Sequence, residues 1–222
     1  MPEQIITPEP STEMSLSDKF VGILSSPEEV YQSIVGTEPK TSNWAIPLVV
    51  AMIVGLIFTF VVFSQPPIQD QMADAQMKAM QKSVAEGKMT QEQMETAMEN
   101  NPAKPGSPMF LIFGAIGVLV ATAVTLFAYS GVYLIAGKVA LKGTASYSKI
   151  LEVVGMSFYV SAVAGLLSIV IVVAMGSLYA SLSPSLFITD FDPMNKEHKL
   201  MAAFNLLEFW GMYVIGVGLS KV

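Results

Sequence analysis

Few residues of this 222-residue chain are of types that perform chemistry, and they are scattered along it. The one histidine, His198, lies among charged neighbours in a polar stretch, where we interpret it as a solvated loop side chain. A Ser–His–Asp site is therefore not expected. The sequence has no cysteine, so it provides no thiolate nucleophile, disulfide or thiolate metal ligand. It also lacks the motifs typical of nucleotide phosphate, dinucleotide and zinc sites, and we expect neither an enzyme nor a cofactor.

A second group of polar residues could suggest a divalent cation, namely Asp190, Asp192, Asn195 and Glu197. A calcium loop needs ligands at alternating positions and a glycine at its sharp turn. Here Met194 occupies the fifth position of the segment and no glycine follows. The spacing therefore does not predict a metal site.

Glu208 is the one acid inside an otherwise apolar stretch. An ionisable side chain at the centre of a membrane span costs about 2.5–3.5 kcal/mol on insertion scales and suggests a functional site. In one interpretation, Glu208 belongs to the ion or proton path of a small transporter or channel subunit. In the others, it lies within one or two turns of the outer surface, or it is protonated and bonded to Asn205, Tyr129 or Ser157.

Three lysines, Lys138, Lys142 and Lys149, fall within 12 residues between two apolar runs. Short loops rich in lysine face the cytoplasm, so membrane topology alone is enough to explain these three lysines. They could also contact partner proteins or anionic headgroups, at about 1 kcal/mol per lysine. All 12 basic residues are lysine and the net charge is −6, so we expect no nucleic-acid partner.

The elements that carry these residues are apolar and long. Hydrophobic residues make up 52% of the chain and charged residues 14%, whereas soluble domains have about 25% charged residues. A membrane-spanning helix needs about 20 apolar residues, and four stretches meet this requirement. The sequence therefore predicts an all-α, polytopic transmembrane helical bundle with about four spans, near 45–64, 109–136, 152–180 and 200–219.

Polar segments flank these spans. We expect residues 1–15 to be a disordered tail, because they are polar and rich in proline, and 16–222 to form the membrane domain. Ser26, Pro27 and Glu29 predict a capped, amphipathic N-terminal helix on the membrane surface or under the bundle. Residues 66–105 predict a polar helical hairpin outside the bilayer, with a stop at Gly87 and a capping box at Thr90. The pair Asp192-Pro193 is expected to start the last helix.

Small residues recur at every fourth position in three of the spans. Such stripes let membrane helices approach closely, although they also occur by chance in spans rich in glycine and alanine. The stripes are Ala51, Gly55 and Thr59; Gly117, Ala121 and Thr125; and Ser157, Ser161 and Gly165.

Several segments together resemble a known family. They are SPEEVYQSI after Phe20, a W-x-x-P entry at Trp44, the turn GKVALKGTASYSKILEVVGMSFYVSAV from Gly137, and NLLEFWGMYVIGVGLSKV from Asn205. This order resembles the prokaryotic branch of the YIP-domain family of integral membrane proteins, over about 16–222 apart from the hairpin. Members usually have five spans, so the sequence ending at Val222 is either a fragment lacking the last helix or a four-span variant. Many members also have a proline-containing break in the third span, and this chain departs from that pattern at Tyr159-Val160-Ser161.

The resemblance implies a membrane location and little chemistry. We therefore expect a non-enzymatic scaffold or adaptor in membrane organisation or trafficking, with the small transporter or channel subunit as the alternative. The expected partners are the lipid bilayer and, beyond it, other membrane proteins or a second copy of the chain. The expected location is a prokaryotic cytoplasmic membrane, with the N-terminus inside. The residues expected to matter are Glu208, Lys138, Lys142 and Lys149.

Overall fold

The computed structural model describes residues 14–140, 142–189 and 191–222, and within these ranges it contains helices and no strand. Most of the predicted N-terminal tail lies outside the described residues. The all-α prediction is confirmed. In chain order the helices are α1 (Leu16–Ser25), α2 (Pro27–Val35), α3 (Ser42–Val62), α4 (Pro66–Ala85), α5 (Gln91–Glu99), α6 (Pro108–Ala140), α7 (Tyr147–Met175), α8 (Lys196–Ala203) and α9 (Leu206–Leu219).

Three of the described helices, α3, α6 and α7, are long and apolar enough to cross a membrane. A fourth crossing is reached only if α8 and α9, which meet at a bend of 49°, count as one broken span. Helix α7 is central, because α3, α6 and α9 all pack against it. The chain is thus a helical membrane bundle arranged around α7.

The last span differs from the continuous helix expected near 200–219. Asp192 and Pro193 do not start it. Instead the Asn195 side chain accepts the backbone N–H of Glu197 and caps α8. The helix then ends at Phe204, and the Asn205 side chain accepts the N–H of Leu207 to begin α9. Asparagine is a strong N-cap, and here a second cap within one apolar stretch produces the bend.

Helix α7 begins and ends about five residues before the predicted span of 152–180. The Ser146 side chain caps its start by accepting the N–H of Lys149. Gly176, at φ +59°, ends it in the left-handed conformation that glycine tolerates best. The helix is continuous past Tyr159, so no kink interrupts it there. The first turns of α7 are polar and come before the uncharged run. Polar residues are tolerated there because other protein segments cover them.

Helices α4 and α5 form the hairpin. The predicted capping box is confirmed, since Thr90 and Gln93 each bond the other's backbone N–H, and Gly87 has φ +70° after the end of α4. The hairpin is attached to the bundle through Gln71. Its amide donates to the Gly176 carbonyl at 2.7 Å and accepts from the Leu178 N–H at 3.0 Å.

Helices α1 and α2 lie under the bundle. Ile23, Val30, Tyr31 and Ile34 are buried against α7 and α9 in one apolar core. Pro27 is at the first position of α2 as predicted, but Ser26 makes no side-chain capping bond there. A capping box forms earlier, between Ser15 and Asp18, and starts α1.

The connections place distinct segments at the two ends of the bundle. At one end, which we call the cap end, lie α1, α2, the α6–α7 turn and the end of α9, where Lys221 bonds Glu28 at 2.7 Å. At the other, the hairpin end, Val62 at the end of α3 packs with Ile68 of α4 and Val172 of α7.

Candidate functional site

A buried polar cluster at the cap end has Glu152 at its centre. Glu152 lies in the second turn of α7 and is fully buried, directly before the uncharged run that enters the membrane. Its Oε2 accepts a hydrogen bond from Lys149 Nζ at 2.5 Å. Its Oε1 accepts from the Lys40 backbone N–H at 3.2 Å and from the Asn43 side-chain amide. Both carboxylate oxygens are therefore occupied by groups from three segments.

Lys149 connects this carboxylate to helix α2. Its ammonium also donates to the carbonyl oxygens of Ile34 at 2.7 Å and Thr37 at 2.9 Å, so its three protons are all used. These carbonyls are at and just after the C-terminus of α2, where the helix dipole is negative and a cation is stabilising. Helix α2 has no basic residue in its own last turn, and Lys149 of α7 supplies the charge instead.

Asn43, in the first turn of α3, carries the network towards α1. Its side-chain oxygen accepts a hydrogen bond from Lys19 Nζ at 2.8 Å, and both residues are buried. No buried side-chain nitrogen or oxygen among the described residues is left without a partner. A buried charge must be paired and hydrogen-bonded to be tolerated, and this network meets both conditions.

Two further contacts tie α2 to the bundle. Tyr31, which is fully buried, donates its hydroxyl to the Val153 carbonyl at 3.1 Å, and burial raises the pKa of its phenol. Gly218 of α9 lies against the Tyr31 ring, so that a Cβ there would reach ring carbons at 2.7 Å. Glu28 is exposed, and the hydrogen bond and charge of Lys221 lower the pKa of its carboxyl.

The cluster can fasten helices together, but its geometry offers little to a substrate. Its oxygens and ammonium protons are already engaged with the protein. No nucleophile lies hydrogen-bonded to a base in it, and the described residues contain no group of three acids or histidines able to hold a metal ion. The ion pair lies within α7, and the remaining bonds of the Lys149 ammonium reach the end of α2, which fixes the α1–α2 pair on the bundle.

The candidate residues named from the sequence lie in different environments in the structure. Lys149 is only 8% exposed and belongs to the buried cluster, so its ammonium does not face headgroups. Lys138 and Lys142 are exposed at the end of α6 and in the following turn. Glu208 is exposed in the first turn of α9, at the hairpin end. Ser157, one of its suggested partners, donates instead to the Val154 carbonyl.

His198 lies in α8 and not in a loop. Its Nδ1 accepts the backbone N–H of Asp192 at 2.9 Å, and its ring packs against Phe191 with centroids 5.5 Å apart. Met194 N–H donates to the Asp192 carboxylate at 2.8 Å. These two hydrogen bonds close a turn before α8 among the described residues of this acidic segment. Asp190 lies outside the described residues.

The stripes of small residues meet in one groove between α3, α6 and α7, with a volume of about 390 Å³. Gly55, Ala121, Thr125, Ser157 and Ser161 all line it. The hydroxyls with a bond in this region donate to their own helices, as Thr122 does to Val118 at 2.6 Å. The stripes therefore face one another across this groove.

Sequence reasoning missed Glu152, Asn43 and Lys19. One local signal was available, because Lys149 and Glu152 are three residues apart at the start of an apolar helix, where opposite charges meet on one face. No local pattern relates Glu152 to Asn43 or Lys19, which are more than 100 residues away along the chain.

Comparison with known proteins identifies the family of this architecture. No curated protein and no solved structure matches the chain. The Yip1 domain matches residues 21–222, which include α2, the three long helices, α9 and the buried cluster apart from Lys19. Because this match extends over most of the sequence, the chain belongs to the Yip1 domain family of membrane proteins.

Proposed function

We propose that the chain is a non-enzymatic adaptor of a prokaryotic cytoplasmic membrane, holding α1 and α2 as a fixed docking platform at its cytoplasmic end. The observation that carries this proposal is the use of the buried charges. The polar groups of Lys149 and Glu152 hold the platform through hydrogen bonds, and Asn43 of α3 links them to α1. These bonds leave no vacant group in the cluster for a substrate.

The platform has a surface available to partners. Val21 of α1 is 60% exposed and Leu16 is 46% exposed, while Glu28, Glu29 and Gln32 of α2 face outward. Apolar side chains with a charged surround are typical of protein contact surfaces. A platform held rigidly before binding loses little conformational entropy on association, which favours its use as a docking site.

The orientation follows from lysine placement. Lys138 and Lys142 lie within a few residues of the end of α6, where the positive-inside rule applies most strongly. With this turn in the cytoplasm, α1 and α2 are also cytoplasmic, since they lie at the same end of the bundle. The hairpin is then outside.

Site-specific photo-crosslinking in native membranes tests the adaptor. A crosslinker at Val21 is expected to capture a discrete set of proteins, and one at Lys88 in the hairpin, as the control position, a different set. Changing Glu29→Lys on the platform should then reduce capture at Val21. If position 21 yields only the proteins captured at exposed, bilayer-facing positions of α6, the adaptor proposal is wrong.

The transporter alternative is tested with purified protein in proteoliposomes. An adaptor produces no flux of ions or protons above that of empty vesicles. A path using Glu208 would produce flux that Glu208→Gln abolishes. Such a result would replace the adaptor with the transporter.

A further inference from the structure

A second cavity at the cap end is separate from the buried cluster. It has a volume of about 510 Å³ and lies between the end of α6, the α6–α7 turn, the start of α7 and the end of α9. Its walls are mostly apolar and include Leu134, Ala136, Ile150 and Leu219. Cavities of roughly 300–1,000 Å³ with apolar walls are typical small-molecule sites.

The side-chain charge at this cavity is positive. Among the described residues that line it, Lys138 is the one charged side chain. Lys142 lies four residues further on, in the turn after α6, and is exposed. The other two lysines nearby are engaged, since Lys149 bonds Glu152 and Lys221 bonds Glu28. The cavity therefore combines an apolar interior with a positive rim.

Its position is at the membrane boundary. Lys138 is the first charged residue after the uncharged run from Met109 to Gly137 in α6. Of its apolar wall residues, Leu134 and Ala136 precede that lysine in α6, and Tyr133 lines the cavity about one turn before it. Tyrosine and lysine are typical of the headgroup level. A ligand in this place would have its polar part at the height of lipid phosphates.

We propose that this cavity binds one anionic phospholipid from the surrounding leaflet, with acyl chain in the apolar interior and phosphate beside the Lys138 ammonium. A partner helix is a poorer fit, because a helix is about 10–12 Å wide with its side chains and little more than one turn would enter. Basic pockets between membrane helices bind anionic headgroups by the same combination of forces. The inference does not depend on the adaptor function.

Binding is measured by native mass spectrometry of the purified full chain in detergent, titrated with phosphatidylglycerol or with phosphatidylcholine of identical acyl chains. The wild type is expected to retain phosphatidylglycerol more strongly. Lys138→Gln should weaken phosphatidylglycerol binding about fivefold, equivalent to ~1 kcal/mol, and leave phosphatidylcholine binding unchanged. Lys78→Gln removes the same charge from the hairpin and should change neither.

A second pair of variants tests the apolar interior. Ala136 lines the cavity and is exposed, so Ala136→Leu adds volume into it without displacing packed atoms. It should weaken binding of both lipids, whereas Ala128→Leu, two turns earlier on the same helix and outside the cavity, should not. Three outcomes would each overturn the proposal. The wild type could retain the two lipids equally, Lys138→Gln could bind them as the wild type does, or the two leucine substitutions could have equal effects.

Discussion

Individual polar side chains in an apolar environment make the contacts that fix the cap end of this protein. Glu152 receives three hydrogen bonds and Lys149 gives three, and the two groups are within 2.5 Å of each other. Removing one partner of a buried ion pair leaves an uncompensated charge, which costs far more than the net contribution of the intact pair. Both residues should therefore be sensitive to single substitution.

We expect Glu152→Gln to lower the free energy of unfolding by about 3–5 kcal/mol, because Lys149 then keeps its charge without a counter-ion. Glu208→Gln, which changes an exposed acid, should cost less than about 0.5 kcal/mol. Denaturant unfolding in detergent micelles compares them. A double change, Lys149→Met with Glu152→Leu, should recover much of the loss. Equal effects of the two single changes would show that Glu152 is not buried as an ion.

Tyr31 makes stability depend on alkaline pH. Burial raises its folded-state pKa above the unfolded value of about 10, so its stabilisation is fully present below pH 10 and is lost as pH rises further. At pH 8, Tyr31→Phe should cost about 1 kcal/mol through the lost bond to Val153. Above pH 10 that difference should shrink, because phenylalanine cannot ionise.

Unfolding followed between pH 8 and pH 11 measures this effect. Tyr147→Phe removes a similar hydroxyl bond, to the Phe127 carbonyl at 3.1 Å, but at an exposed position, and serves as the control for the general effect of alkali. A Tyr31→Phe difference that stays constant or grows across this range would contradict a buried, neutral hydroxyl.

Among the helices, α7 is central because its small residues allow close approach. A Cβ built at Gly155 would collide with Trp44 of α3, meeting its backbone Cα at 2.5 Å. Backbone cannot move aside as a flexible side chain can. By contrast, Gly117 of α6, which is part of a predicted stripe, has nothing within 4 Å of a built Cβ. The tight contact at Gly155 thus lies outside the predicted stripes, whereas the stripe position Gly117 is open.

We expect Gly155→Ala to destabilise the protein by about 1–3 kcal/mol, because it overpacks the α3–α7 contact. Gly117→Ala should be neutral or stabilising, since alanine favours helix by up to about 1 kcal/mol and meets no neighbour. Thermal unfolding in one detergent compares the two. If both substitutions are tolerated equally, α3 and α7 are not as close as the structure has them.

The molecule as a whole has two chemically different ends, and its lack of cysteine makes them easy to map. Gln32 of α2 and Thr144 of the α6–α7 turn are exposed at the cap end, and Lys88 is exposed in the hairpin. We expect Gln32→Cys and Thr144→Cys to react alike with a membrane-impermeant maleimide. Lys88→Cys, at the other end, should be labelled in intact cells when those two are protected, and protected when they are labelled.

With the proposed orientation, only Lys88→Cys is labelled in intact cells, and all three are labelled after the membrane is opened. Labelling of Gln32→Cys without Thr144→Cys in intact cells would contradict the fold. Labelling of both, with Lys88→Cys protected, would keep the fold and reverse the orientation.

Local patterns in the chain were enough to predict the helical class, the apolar spans and the hairpin, because each depends on residues close in sequence. Continuous apolar runs predicted α3, α6 and α7, and the Thr90 capping box needs only a three-residue spacing. The break before α9 was missed, since one apolar stretch hides the Asn205 cap.

The buried cluster could not be read from the chain in this way. Glu152 and Asn43 are 109 residues apart and meet only when α3 packs against α7. Lys142 and Lys149 belong to one short lysine-rich segment, yet packing buries the Lys149 ammonium and leaves Lys142 exposed. Whether a charge is buried depends on the helices that pack around it, and that is a property of the assembled bundle.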